Sequence, residues 1–255
     1  MDLLTLEQAL GQDSLFAGRL LLTDTLPSTN TRLAELARDN TPEGTVLLAE
    51  EQSDGRGTQG RSFLSPRGEG LYLSLLLRPS CPLEQLLTLT GRTAAAVRQG
   101  IEDASGAPCA IKWLNDIYLN DRKLCGILAE FSPADPWVVI GIGVNVSQTA
   151  AAFEAQGLGG IATSLAAEGY PVSRETLAAA ILRRMEEMYR SFPQGLEQAV
   201  EHYRSRCITL GRSVSFPQNG QTCEGVAVDV AEDFTLTVQT DHGLQQVSAG
   251  AVTLL

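Results

Sequence analysis

Residues 111–128, from Ile111 to Leu128, read IKWLNDIYLNDRKLCGIL. Apolar positions recur on both sides of Asn120-Asp121, a pair that favours tight turns, so the stretch predicts strand, turn, strand. Short strands surround it: 109–113, 116–119, 124–131 and 137–146. Further out, 19–26, 45–50 and 71–78 read as strands and 83–104 as a helix. Residues 173–206 read as two helices broken at Pro193; Leu177, Ile181, Met185, Met188 and Phe192 recur at helical spacing in the first. Ser28-Thr29-Asn30 offers cap residues for another helix. Strands and helices mix without regular βαβ alternation, which predicts an α+β fold with a mixed sheet. After Gly211 the texture changes to short alternating pieces: SVSF, EGVAVDV, TLTVQT and LQQVSA. Turn formers such as Gln218-Asn219-Gly220 and Asp241-His242-Gly243 separate them. A β-barrel-like domain of about 45 residues is near the lower size limit for independent folding, so it should pack on the larger one. The expected division is 1–208 and 209–255.

The chain has 255 residues, 44% of them hydrophobic and 19% charged, with a formal net charge of −11. That composition excludes wholesale disorder. No apolar run reaches the roughly 18–20 residues a bilayer crossing needs, so no membrane partner is expected. Met1 to Gly11 carries no leader signature. The five cysteines form no CxxC pair, and only His202 and His242 are available beside them, which disfavours a zinc site. Free thiols and no leader point to a reducing cytosol. The acidic balance disfavours nonspecific contact with nucleic acid or anionic lipid. Among 19 Lys+Arg, only Lys112 and Lys123 are lysine. A chain that uses arginine elsewhere keeps a compact ammonium at two neighbouring positions.

Three segments offer chemistry. In the first, Gln52 to Arg61 (QSDGRGTQGR), Gly55, Gly57 and Gly60 let backbone N–H groups approach an anion, and Arg56 and Arg61 supply charge. It is not a Walker loop, and by itself it also reads as a surface loop. In the second, residues 111–128, Lys112, Asn115, Asp116 and Lys123 interrupt core-like sequence. Either they neutralise phosphate and hold Mg²⁺, or the lysines snorkel and the Asn/Asp residues only make turns. The third, Gly141-Ile-Gly-Val-Asn145, lacks the last glycine of a dinucleotide motif and reads better as close backbone packing against a ligand or strand. No GxSxG is present, and His202 (surface helix) and His242 (hairpin turn) lie outside all three segments, so no Ser-His-Asp triad is expected.

Together these segments resemble the biotin protein ligase family, the biotin–[acetyl-CoA-carboxylase] ligases. The resemblance rests on Ser28-Thr29-Asn30, Gln52, Gly55-Arg56-Gly57 with Gly60-Arg61, Lys112-Trp113 with Asn115-Asp116, Arg122-Lys123 with Gly126-Ile127-Leu128, and Gly141 to Asn145, in the family's order. It implies a catalytic domain like that of class II aminoacyl-tRNA synthetases and lipoate ligases, followed by an SH3-like C-terminal domain. It implies biotin and ATP as substrates with Mg²⁺, biotinyl-5′-AMP as intermediate, and a lysine of a carboxylase carrier domain as acceptor. By position, Ser28, Thr29, Asn30, Gln52, Arg56, Gly57, Thr58 and Lys123 should meet biotin. Arg56, Arg61, Phe63, Lys112, Asn115 and Asn145 should meet the nucleotide. Lys112, Asp116, Lys123 and Arg56 should form the catalytic group, with Asp116 also the metal candidate.

Departures from the family pattern stand at Thr58-Gln59, where relatives often carry arginine, at Leu114 in place of a common proline, at Phe63, which can be tryptophan, and at Leu254-Leu255, where some relatives place a basic residue. Bifunctional relatives carry a DNA-binding domain before the Ser-Thr-Asn motif; with 27 residues before Ser28, no operator binding is expected. A homodimer through a sheet edge is possible, with 137–146 as the candidate edge. The alternatives are a lipoate/octanoate-protein ligase and a noncatalytic biotin-sensing module.

Overall fold

The computed structural model describes residues 1–131, 137–218, 220–248, 250 and 252–255, and only the backbone at Gln59. Asn219 of one expected turn and Ala249 at the end of the last expected strand piece lie outside the described residues. The chain runs α1 (Leu3–Leu10), β1 (Leu20–Leu26), α2 (Thr29–Arg38), β2 (Val46–Gln52), β3 (Gly70–Leu77), α3 (Leu83–Leu87), α4 (Leu89–Ser105) and β4 (Ala110–Lys112). It continues through β5 (Asp116–Leu119), β6 (Arg122–Phe131), β7 (Val138–Asn145), α5 (Ala150–Ala155), α6 (Arg174–Ser191) and α7 (Leu196–Arg204). The last part is β8 (Ser213–Gln218), β9 (Gln221–Val230), β10 (Leu236–Thr240), β11 (Gly243–Val247) and β12 (Thr253–Leu254).

A seven-stranded sheet is ordered β1-β2-β3-β7-β6-β5-β4, with only β1 and β2 parallel. A five-stranded antiparallel sheet is ordered β11-β10-β9-β8-β12. The α+β expectation with a mixed sheet therefore stands. The edge expectation does not: β7 is central, between β3 and β6, and the edges are β1 and β4. Bounding glycines misled that reading, because Gly141 and Gly143 are needed for a cavity rather than for an open edge. The expected helix 83–104 is broken at Thr88, whose hydroxyl donates to the Gln85 carbonyl at 2.7 Å and so competes with the helical pattern. Helices α1 and α5 were not read from the sequence, though each has a side-chain cap, Asp2 and Thr149.

Period-two alternation splits the large sheet into two faces. Leu71, Leu73, Leu75 and Leu77 of β3 enter the main core with Val97, Ile101, Leu177, Ile181 and Met185 from α4 and α6. Leu76 points the other way and joins Leu47, Val139, Trp137, Leu33 and Ala37 beneath α2. Tyr72 and Ser74 share the Leu76 face, and so do Gly141 and Gly143, which pair with Ser74 and Tyr72. On that face α2 covers one part of the sheet, and the part beside it carries glycine.

Glu186 of α6 fastens the loop before β1. It accepts from the Ser14 hydroxyl at 2.7 Å, the Leu15 N–H at 2.9 Å and Arg190 Nη2 at 2.6 Å. Burial raises its carboxyl, but the Arg190, Leu15 and Ser14 contacts outweigh it, and the net shift is below the ordinary glutamate value. A folded value below the unfolded one stabilises above the unfolded value and is lost as pH falls through the folded one. Glu186→Gln should therefore lower the melting temperature at pH 7 and flatten the acid limb of its pH profile, below roughly pH 4.5. Parallel acid limbs in both proteins would contradict this.

The segment Trp113-Leu114 is held by α7, by Thr209 before β8 and by Phe234 between β9 and β10. The Trp113 indole N–H donates to the Phe234 carbonyl at 2.7 Å, and the Trp113 backbone N–H donates to the Thr209 hydroxyl at 2.9 Å. Tyr203 donates to the Leu114 carbonyl at 3.0 Å, and its ring meets Phe234 edge-on, with centroids 5.2 Å apart. Gly91 of α4 gives Phe234 its seat: a Cβ there would lie 2.2 Å from the Phe234 ring. The expected packing of the small domain on the large one is thus a hydrogen-bonded joint around the chemistry-bearing hairpin.

Candidate active site

A cavity of about 220 Å³ opens on the α2 face of the large sheet. Its floor is made by absence. On β6 and β7, Gly126, Gly141 and Gly143 leave no side chain where the strand pattern would place one; Leu128 shares their face, and Leu73, Ile127 and Ile142, whose side chains belong to the main core, also border the cavity. The spaces are filled by specific neighbours: a Cβ on Gly141 would lie 2.2 Å from Asn30 Oδ1, and one on Gly143 would lie 2.7 Å from the Phe63 ring. The Gly141-Ile-Gly sequence is therefore close packing of backbone against side chains and cavity.

The inner end is a buried polar network. Ser28 caps α2, its hydroxyl accepting from the Thr31 N–H at 3.5 Å. Gln52, at the end of β2, accepts from the Thr29 N–H at 2.9 Å and donates from Nε2 to the Ser65 hydroxyl at 2.9 Å. The Ser74 hydroxyl lies 2.7 Å from Thr29 Oγ1 and 2.6 Å from Asn30 Oδ1. Buried polar groups this well partnered are rigid donors and acceptors for a polar ligand. Ser74 and Ser65 were missed from sequence; a single serine in the run LYLSLLL was the available signal for Ser74.

The outer end is cationic. The loop from Gln52 brings Arg56, Gly57, Thr58, Arg61 and Phe63 to the wall, with a short 3₁₀ turn at Thr58–Gly60 and a bridge between Arg56 and Ser62. The hairpin brings Asn115, Asp116 and Lys123. Asn115 is held by its Nδ2 donating to the Ile127 carbonyl at 2.6 Å. Lys123 Nζ lies 2.7 Å from Asp116 Oδ1. Its backbone is clamped on the other side, donating to the Ile161 carbonyl at 2.8 Å and accepting from the Thr163 N–H at 2.9 Å. Three cations, Arg56, Arg61 and Lys123, thus face one carboxylate, Asp116, among the described wall residues, with Glu130 paired to Arg56 just outside them. The net positive balance suits an anion.

Two expected site residues do not line this cavity. Lys112, on edge strand β4, has its ammonium 5.7 Å from the Tyr118 ring centroid. Burial lowers its pKa, Asp116 opposes the shift, and Lys123 and Arg61 add to it, so it lies within the electrostatic reach of the site. Asn145 is held by the fold: its Nδ2 donates to the Thr163 carbonyl at 2.9 Å, and its Oδ1 accepts from Gln148 at 3.3 Å. The other expected site residues, from Ser28, Thr29, Asn30 and Gln52 through Arg56 to Lys123, all meet at the cavity. Among the described residues no group of three His, Cys, Asp or Glu side chains gathers to cage a metal ion. Asp116 alone fits an ion that keeps its water and shares substrate phosphates, as Mg²⁺ does. No helix among the described residues is long and apolar enough to cross a membrane.

Comparison with known proteins agrees with this geometry. The Biotin/lipoate A/B protein ligase family matches residues 22–147. The bifunctional ligase/repressor BirA of Bacillus subtilis (strain 168) is 35% identical over 240 residues, 92% of this chain and 74% of that protein. The biotin–[acetyl-CoA-carboxylase] ligase of Mycobacterium tuberculosis is 31% identical over 226 residues, 86% of this chain and 82% of that one. The solved structure of the biotin protein ligase from Aquifex aeolicus in complex with biotin and ATP aligns with a TM-score of 0.78 at 28% identity, covering 93% of this chain and 99% of that one. The chain belongs to the biotin protein ligase family.

Proposed function

We propose that the chain biotinylates a carrier-domain lysine of a biotin-dependent carboxylase, in two steps through biotinyl-5′-AMP. In the first, a biotin carboxylate oxygen bonds to the α-phosphorus of ATP, and the α–β anhydride bond breaks to release pyrophosphate. In the second, the acceptor amine bonds to the acyl carbon, and AMP leaves. In this reading residues 1–208 carry the chemistry and 209–255 brace the catalytic hairpin. The observation that carries the reading is the cavity itself: a neutral, hydrogen-bonded inner end and an outer end with three cations against one carboxylate.

The inner groups, Ser28, Thr29, Asn30 and Gln52, would hold the uncharged biotin rings. Lys123 would stand where carboxylate and α-phosphate meet, and their mutual repulsion is the main electrostatic barrier to adenylation. Arg56 and the backbone of Gly57 and Thr58 would close over the intermediate, Arg61, Asn115 and Phe63 would serve the nucleotide, and Lys112 would add charge from the second rank. Asp116, already holding Lys123, would orient the incoming amine or share a phosphate-borne Mg²⁺, which when bound would offset phosphate charge. The deciding experiment is ATP–pyrophosphate exchange with biotin, lipoate or octanoate as the acid. Exchange with biotin alone is expected, followed by label transfer to a biotin carrier domain; no exchange with biotin would overturn the reading.

Thr58 supplies a finer expectation. Arg61 folds back on it, Nη2 to Thr58 Oγ1 at 3.3 Å, where relatives often place a further arginine. Thr58→Arg should slow release of biotinyl-AMP by roughly tenfold, the size of one added charge-assisted contact. Equal dissociation rates for the two proteins would count against it.

A further inference from the structure

Two parts of the cavity wall come from opposite sides of the site and meet on one carboxylate that belongs to neither. Glu130 lies near the end of β6, two positions beyond Leu128 and four beyond Gly126, on the face those residues turn to the cavity. Its Oε2 accepts from the buried Asn30 Nδ2 at 2.9 Å. The Arg56 guanidinium spans both of its oxygens, Nη2 to Oε1 at 2.9 Å and Nη1 to Oε2 at 3.3 Å. Asn30 is fixed in turn, donating to the Leu128 carbonyl at 3.1 Å and accepting from Ser74 at 2.6 Å. Glu130 therefore ties the glycine-rich loop to Asn30, a triply hydrogen-bonded member of the inner network.

We infer that Glu130 is a positioning residue for adenylation: its two-point grip places the Arg56 guanidinium at the cavity wall and couples that placement to the Asn30 amide. The inference rests on the ligase reading of the cavity. The Arg56 backbone bridges to Ser62, but beyond Glu130 the described contact of its guanidinium is one long approach of Nη1 to Thr31 Oγ1 at 3.3 Å, so Glu130 supplies most of the side chain's restraint. The pair is partly open to solvent, Arg56 46% and Glu130 28% exposed, so it adds little to global stability. Its effect falls on geometry. A cation already in place spares the incoming anion the cost of ordering it.

Charge alone predicts the opposite. A carboxylate beside an anion site repels the substrate, and neutralising it should tighten binding. The positioning role makes neutralisation harmful, so the sign of the effect discriminates.

Glu130→Gln keeps the size and an acceptor for Asn30 but removes the ion pair with Arg56. Expected are a fall of about tenfold in kcat for biotin-dependent ATP–pyrophosphate exchange and a smaller change in KM for biotin, as loss of a well-placed group implies. The double variant Arg56→Ala/Glu130→Gln should be no slower than Arg56→Ala, because both substitutions remove one interaction. Without reference to activity, trypsin should cut the ligand-free Glu130→Gln protein after Arg56 several-fold faster than the parent. Equal or faster exchange in the single variant, effects that multiply in the double variant, or an unchanged cleavage rate would each overturn the inference. Parent exchange with biotin is the separate control on the ligase reading, and the cleavage comparison decides the clamp even if that control fails.

Discussion

Lys123→Arg is expected to lower biotin-dependent ATP–pyrophosphate exchange by roughly two orders of magnitude, the usual cost of removing one preorganised charge contact. The backbone of Lys123 is clamped between β5 and the segment 161–163, so the side chain alone adjusts. It lies along bare backbone: a Cβ on Gly126 would come within 3.3 Å of both its Cε and Nζ. An ammonium fits there and rotates its three donors between Asp116 and a ligand. A guanidinium is longer, planar and fixed in its fork, so it must enter the ligand's space or swing out to solvent. The melting temperature should move by only a few degrees, since a part-exposed ion pair contributes little. Exchange within threefold of the parent would refute the role given to Lys123.

Gly143→Val should abolish detectable biotin binding by titration calorimetry, a loss of at least about a hundredfold, because overpacking of this kind typically costs 1–3 kcal/mol before the ligand is considered. The Cβ alone would stand 2.7 Å from Phe63 Cε1. Two further methyls must push that ring into a cavity of about 220 Å³. Gly143 sits between Tyr72 and Gly126 in the centre of the sheet, so the backbone has little room to give. Circular dichroism should still show a folded chain, because the damage points into empty space rather than into the main core. Binding within fivefold of the parent would show that the glycine floor is not the ligand's floor.

Much of this site could be read locally. Ser28-Thr29-Asn30, the Gly/Arg loop and the Asn115 to Lys123 hairpin each carry residue types at odds with their surroundings, and the fold brings all three to one cavity. What stayed hidden depends on distance. Glu130 is an ordinary charge near a strand end, and only the fold puts Asn30 and Arg56, 100 and 74 residues away, on its two oxygens. Ser74 looks like a gap in an apolar strand until α2 is laid across it. Asn145 shows the converse: it belongs to a suggestive motif, and its side chain ties β7 to Thr163 and Gln148 rather than lining the cavity. The sheet order was equally out of reach: glycines in β7 look the same whether they expose an edge or make a floor, and strand neighbours decide which.

The joint on Trp113 bears on how the enzyme comes into being on the ribosome. Its partners arrive late in synthesis: the Thr209 hydroxyl is 96 residues downstream of the Trp113 N–H, and the Phe234 carbonyl is 121 residues downstream of the indole. A nascent chain that has released the whole large sheet still lacks both acceptors, and the hairpin bearing Asn115, Asp116 and Lys123 is not yet braced. Under the proposed mechanism, adenylation would thus await the segment that carries Thr209 and Phe234, and a nascent chain that has not reached Phe234 would lack the brace on Trp113.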